Sequence, residues 1–212
     1  MASIREAPFD DFDTAVAAMV AWLAAGLGRA VALNGRATLA VGGGRTPRDV
    51  LPLLAAAVAD WSPITVTLTD DRRVSADDPD SNAGLVRSRL LEQGAGTAAF
   101  VPLGDVAVPP PQPDVVYLGF GLDGHVASLF PGGAELAVRR IGLVEASAPV
   151  APVRRVSMTL PMLLGARSIA ILVAGAEKRD VYARAKAEAA MPQLPLARVL
   201  HGADTDIFIV RD

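Results

Sequence analysis

Two histidines occur in this 212-residue chain, and His125 stands in a glycine turn of the kind that presents a side chain to a ligand. Residues Gly119 to Pro131 read Gly-Phe-Gly-Leu-Asp-Gly-His-Val-Ala-Ser-Leu-Phe-Pro and follow the apolar run Val115-Val116-Tyr117-Leu118. A β-branched and aromatic run broken by Gly119, Gly121 and Gly124 predicts a buried strand that ends in a tight turn and then enters a helix. In an open α/β sheet that strand end is where ligands bind. Imidazole is the side chain most readily poised as a general base near neutral pH, so His125 is the candidate catalytic base. Asp123, two residues earlier, is the candidate that shapes the turn or orients the ring.

The same turn also matches G-x-G-x-x-G, with Glu145 near the spacing of a ribose-binding acid. A dinucleotide site needs a continuous helix after its glycines, and Pro131-Gly132-Gly133 would end that helix after roughly two turns. That argues against a nicotinamide or flavin cofactor. Taken alone, the stretch could also be a plain reversal with His125 as a cap or core residue.

Three further strand ends carry ligand-type residues. Gly42-Gly43-Gly44-Arg45-Thr46-Pro47 precedes a helix in which Thr46 suits the cap, Pro47 the first position and Asp49 the acid of a capping box. Unobstructed backbone N–H groups at the positive end of a helix dipole form a phosphate cradle, although GxxxxGK[ST] is absent and an ordinary turn has the same composition. Asp70-Asp71-Arg72-Arg73 is followed by the acidic loop Asp77-Asp78-Pro79-Asp80 and by Ser81-Asn82. With no histidine or second acid cluster at ligand spacing, the paired carboxylates are expected in a solvated, arginine-paired loop rather than on a metal. Gly175-Ala176-Glu177-Lys178 places Lys178 in the first turn of a helix, where a cation is unfavourable by roughly a few tenths of a kcal/mol unless an anion compensates. The alternative there is a solvated surface lysine. His201, before Gly202, reads as a helix C-terminal cap.

Positioning these groups requires strands and helices in alternation. Phe12, Val16, Met19, Leu23 and Leu27 form one apolar stripe and predict a first helix from Asp11 to Leu27. Asn34-Gly35 then makes a turn, Ala37 to Val41 a buried strand, and a second helix runs to Ala59. Alternation of Ile64, Val66 and Leu68 with threonines predicts a strand over 64–69. Asp80 or Ser81 caps a helix to Gln93, with Gly94 as its stop. Further strands are expected at Ala99 to Leu103, Ile141 to Ala146, Arg155 to Thr159, Ser168 to Ala174 and Ile207 to Val210. Short helices start at Pro161 and Glu177, and proline-rich loops lie at Val108 to Pro113 and Pro149 to Pro152.

Composition bounds the rest. A 51% hydrophobic chain of this length can bury a sizeable core, and one domain is the default. Net charge is −3 with scattered Lys and Arg, so no basic stripe points to nucleic acid and any phosphate site must be local. The absence of cysteine rules out disulfides and cysteine-ligated metals. The N-terminus has no signal-peptide core, and the uncharged run Ala15 to Gly28 falls short of the ~20 residues a bilayer needs. A cytoplasmic protein with no membrane partner is expected.

The four strand ends together resemble the 6-phosphogluconolactonase family, within the wider group of glucosamine-6-phosphate deaminase-like folds. Gly121-Leu-Asp-Gly-His-Val-Ala-Ser-Leu-Phe-Pro131 is similar to that family's G-x-D-G-H-x-A-S-L-F-P signature. The family's Gly-Gly-Ser-Thr-Pro loop falls at Gly43 to Pro47, its Asp-Glu-Arg at Asp70 to Arg72, its Arg-x-Thr-x-Thr at Arg155 to Thr159 and its Gly-x-x-Lys at Gly175 to Lys178. Arg45, Asp71 and Ser157 depart from the pattern. The resemblance implies an α/β fold, three-layer α/β/α with a mostly parallel, Rossmann-like open sheet, as one domain over 1–212. It implies that His125 activates water on a phosphorylated sugar lactone, with no cofactor and no metal. Gly43, Gly44, Arg45 and Thr46 would hold the phosphate, Arg72, Arg155 and Lys178 the substrate's negative charge, and Asp70 is counted with them among the substrate- or phosphate-binding residues. Deaminase relatives follow the Asp-Gly-His turn with Asn-Glu-Pro, an acid for ring opening that Ser128-Leu129-Phe130 lacks. A non-catalytic sugar-phosphate sensor would bind without turnover, and no helix-turn-helix precedes this region.

Overall fold

The computed structural model describes residues 2–190 and 192–211. Strand β1 (Ile4–Phe9) leads into helix α1 (Phe12–Asn34), which Asp11 caps by accepting the Thr14 N–H at 2.8 Å and Gly35 closes in a left-handed conformation. This helix runs seven residues past its expected end at Leu27: Ala30 continues the buried stripe, and the left-handed stop comes at Gly35. At 23 residues α1 is long and apolar enough to cross a membrane by length and composition, longer than the sequence run suggested. In the structure its stripe Val16, Met19, Leu23 and Leu27 is buried in the common core.

Strand β2 (Ala37–Val41) is buried along its whole length and feeds helix α2 (Pro47–Ala57). Strands β3 (Ile64–Leu68) and β4 (Asp70–Arg72) are nearly continuous, and helix α3 (Asn82–Val86) passes into π-helical turns over Arg87–Ala95. Gly94 ends that helix at φ 137°, as its sequence position predicts. Then come β5 (Ala99–Val101), β6 (Val115–Tyr117), β7 (Leu143–Ser147), β8 (Arg154–Met158), α4 (Leu160–Leu164), β9 (Ser168–Val173), α5 (Ala176–Ala187), α6 (Pro195–Gly202) and β10 (Thr205–Val210).

Seven strands form one parallel sheet in the order β1-β10-β9-β6-β2-β3-β5, with helices on both sides. From β2 the chain winds outward through β3 to β5, then returns so that β6 joins the other edge of β2 and winding proceeds the opposite way. The order therefore reverses between β2 and β6, and the crevice outside their carboxyl ends is where such a sheet binds ligands. A second, antiparallel sheet, β4-β8-β7, was not expected. Its register sets Asp70 opposite Ser157 and Arg72 opposite Arg155. Strand β1 was also unforeseen. It holds the sheet edge through the Arg5 fork on Asp206 at 2.9 and 2.7 Å, and through Glu6, which accepts from Tyr182 at 2.5 Å and Lys186 at 2.8 Å.

Candidate active site

A cavity of about 380 Å³ opens at this reversal, lined from all four strand ends. Gly43, Gly44, Arg45 and Thr46 reach it from β2, Asp70 and Arg72 from β4, Arg155 from β8, His125 from the loop after β6 and Lys178 from α5. Asp123 is outside the lining but touches the ring of His125.

The His125 turn departs from expectation: no helix follows it. The chain instead folds back on itself, with Gly121 N–H donating to His125 O at 2.9 Å and Phe120 bridged to Val126. A Cβ at Gly121 would strike the His125 ring and the Asp123 carboxylate, so only glycine admits this approach. Asp123 Oδ1 accepts the His125 backbone N–H at 3.1 Å and lies 2.6 Å from Nδ1. That contact favours the tautomer with its proton on Nδ1, leaving Nε2 as the free base. Phe130 packs on the ring at a centroid distance of 4.7 Å, and the side chain stays 31% exposed. Without a helix after the glycines, and with Glu145 paired to Arg73 at 2.5 Å, the dinucleotide reading has no support.

In the glycine loop Pro47 takes the first helical position, but Thr46 is itself helical and makes no side-chain cap, so neither the cap nor the Asp49 box forms. A Cβ on Gly43 would occupy the place of the Asn82 side chain, which donates from Nδ2 to Asp70 O at 2.8 Å. The loop backbone is thus pressed against the start of α3.

The two adjacent carboxylates are buried, not solvated. Asp71 accepts from the N–H groups of Arg72, Asn82 and Ala83 at 2.8, 2.7 and 3.1 Å, making it the anchor of α3. Burial raises its pKa above the ordinary value against the pull of those three donors. Asp70 points to the cavity, yet Oδ2 accepts from Ser128 Oγ at 2.6 Å and Oδ1 from Thr69 Oγ1 at 3.1 Å. Its expected place among the substrate-holding groups is thereby qualified, since each oxygen already accepts from a protein hydroxyl.

Four cations face the cavity with less compensation. Arg155 donates from Nε to Pro152 O at 2.6 Å; burial pushes its pKa down and the guanidinium of Arg72 across the strand pair pushes the same way. Arg72 donates to Asp80 O at 2.6 Å and Asn82 Oδ1 at 3.2 Å, while its buried Nε finds no partner among the described residues. Lys178 donates to Phe120 O and stands over the Phe120 ring, 4.4 Å from its centroid. Burial lowers its pKa first, Asp123 opposes this and Arg45 adds to it. Like charges gathered at a half-buried site raise the free energy of the empty protein and lower that of one holding an anion. Sequence reasoning missed Ser128 and Phe120 as members of this site; only the motif around them hinted at the first. His201 lies elsewhere, its Nε2 at 3.3 and 3.1 Å from the carbonyls of Ala185 and Lys186, so it caps the neighbouring α5 rather than its own helix.

Residues 10–208 match the family of glucosamine-6-phosphate isomerases/6-phosphogluconolactonase. The chain is similar to a 6-phosphogluconolactonase of Mesorhizobium japonicum, with 38% identity covering 92% of this chain and 90% of the relative. With one of Caulobacter vibrioides it shares 39% identity over 90% of this chain and 88% of the relative. The crystal structure of a 6-phosphogluconolactonase from Shewanella baltica superposes with a TM-score of 0.89 at 31% identity, covering 99% of this chain and 98% of that one.

Proposed function

The chain belongs to the glucosamine-6-phosphate isomerase/6-phosphogluconolactonase family, and from that premise we propose that it hydrolyses 6-phospho-D-glucono-1,5-lactone to 6-phosphogluconate, in the oxidative branch of the pentose phosphate pathway. The observation that carries this reading is the convergence of an aspartate-oriented imidazole and four cations on one cavity. Both substrate and product are charged sugar phosphates that do not cross a bilayer unaided, so the enzyme belongs in the compartment where they are made, which in this reading is the cytoplasm.

In the proposed reaction the phosphate rests on the Gly43–Thr46 loop with Arg45, Lys178 and Arg155, and Arg72 faces the sugar. His125 Nε2 takes a proton from a water as its oxygen attacks C1, and Asp123 stabilises the imidazolium through Nδ1. The tetrahedral oxyanion forms in the field of the cations. As it collapses the C1–ring-oxygen bond breaks, and the imidazolium returns its proton to the departing ring oxygen. Water and lactone thus give the open acid, with the base regenerated.

A relative that opens amino sugars needs a carboxylic acid on this turn, whereas the stretch after Ala127 offers the hydroxyl Ser128 and the buried Leu129. The test compares the phosphorylated lactone with gluconolactone lacking phosphate, each above its spontaneous hydrolysis. Preference for the phosphorylated ring by at least about a hundredfold in kcat/KM is expected, since an anchored phosphate contributes several kcal/mol of positioning. No acceleration over background would refute the reading, and ammonia release from glucosamine 6-phosphate would replace it.

A further inference from the structure

Ala127, two residues beyond the imidazole, has φ 49°, the one positive φ among the described non-glycine residues. It is the second residue of a tight turn in which Val126 and Leu129 exchange backbone hydrogen bonds, Val126 N–H to Leu129 O at 3.3 Å and Leu129 N–H to Val126 O at 2.9 Å. Positive φ at that position alone is the type II′ pattern, which favours glycine and strains an L residue. Such a conformation persists only where its surroundings over-determine it.

Ser128, the next residue, is fully buried and held at both of its polar groups. Its N–H donates to Ser157 Oγ at 3.2 Å and its own Oγ donates to Asp70 Oδ2 at 2.6 Å. Asp70 and Ser157 face each other across β4 and β8, so both holds belong to the small antiparallel sheet that also carries Arg72 and Arg155. Asp70 is in turn fixed by Thr69 Oγ1 and, through its carbonyl, by Asn82. The charge-assisted bond from a buried hydroxyl to a buried carboxylate is the strong member of this set.

We propose that Ser128 is a positioning residue: clamped by Asp70 and Ser157, it holds Ala127 in its left-handed conformation and so sets the His125 ring against the cations of the small sheet. This rests on the function proposed above for the ring but uses a separate observation, the strained turn and its clamp. Asp70 thereby acts on catalysis through the serine.

The test pairs kinetics with a readout that needs no substrate. Since the chain has two histidines, their ring proton NMR signals are assigned by His125→Ala alone. In Ser128→Ala the His125 signal should shift or broaden while the His201 signal stays, kcat should fall about 10- to 100-fold, and KM should remain within about twofold. Adding Ala127→Gly, which adopts positive φ without strain, should recover at least about fivefold of the lost kcat. A folded Ser128→Ala protein with wild-type kcat, an unmoved His125 signal, or no recovery on adding the glycine would each overturn the proposal. If Ser128→Ala does not fold, Ser157→Ala, which removes the acceptor of the Ser128 N–H, should move the same ring signal, and an unmoved signal there counts against it. A wild-type protein inactive on the lactone would refute the proposed function while leaving the ring signal to decide the clamp.

Discussion

At the scale of single residues, the site sorts into one group that moves protons and several that hold charge. His125 is oriented by Asp123 and partly exposed at the cavity, so His125→Ala should lower kcat by about 10² to 10⁴, the usual contribution of a positioned general base, with little change in KM. Turnover near that of the wild type would remove His125 from the reaction. Lys178 is already partly desolvated and beside Arg45, so it loses less hydration on meeting a phosphate than an exposed lysine would and gains an opposite charge. Lys178→Ala should therefore raise KM about tenfold or more and leave kcat within a few-fold, as read from full saturation curves. An equal fall in kcat with KM unchanged would instead put the ammonium on the oxyanion. His125, Asp123, Arg45, Thr46 and Lys178 could be picked from the chain because glycine turns and charges in helix first turns leave local marks, whereas Arg155, in a plain strand, was marked only by the family resemblance. Ser128 left none. Its importance arises from Asp70, 58 residues away in sequence, and a serine in a loop carries no sign of which carboxylate it will meet.

At the scale of elements, strands with a strong apolar pattern were legible within a residue or two, as β2 and β3 show, because parallel strands buried on both faces read as continuous or alternating hydrophobic runs. Those that escaped notice are held by partners distant in the chain. Strand β1 is mixed in polarity and contains Pro8, tolerated because it lies on the sheet edge. Strand β4 consists of Asp70, Asp71 and Arg72, residues of low strand preference that pair only because β8 lies alongside. The helix expected after His125 failed for the converse reason: the turn closes on itself through Phe120, Val126 and Leu129 before a helix can start. The β1 edge yields a prediction with a pH signature. Tyr182 and Lys186 donate to Glu6, and the Lys186 contact foremost, then Tyr182, lowers the Glu6 pKa below its ordinary value of 4.5. A carboxylate whose folded value is depressed stabilises the fold above its unfolded value and loses that contribution as pH falls through the folded one. Glu6→Gln should thus lower Tm by about 2–4 °C at pH 7, equivalent to about 1 kcal/mol in a chain of this size after allowance for exposure. The difference from wild type should shrink as the pH is taken below 4.5 towards the lowered Glu6 value. A gap that stays constant through that range would assign the loss to packing rather than charge.

At the scale of the whole molecule, the two sheets meet at the cavity, and the groups facing it come from segments separated by most of the chain, from Gly43 to Lys178. Arg45, Arg72, Arg155 and Lys178 are brought together by folding although like charges repel, and Asp70, a buried acid that lines the same cavity, already accepts two hydroxyl bonds. An anion seated among them relieves that repulsion and ties β2, β8 and α5 to one point, so ligand binding and global stability are coupled. At a concentration of 6-phosphogluconate about 100 times its Kd, mass action adds about 2.7 kcal/mol, which in a chain of this size raises Tm by roughly 5–10 °C. Gluconate at the same concentration lacks the dianion and should shift Tm by less than about 1 °C. The shift should persist in His125→Ala, whose defect is in proton transfer, and should largely vanish in Lys178→Ala. It should also shrink as ionic strength rises, because a half-exposed cationic site is screened within about 8–10 Å. Equal shifts from gluconate and its phosphate ester, or a shift insensitive to both Lys178 and salt, would mean that the gathered cations do not hold the phosphate and that the anchor lies elsewhere in the fold.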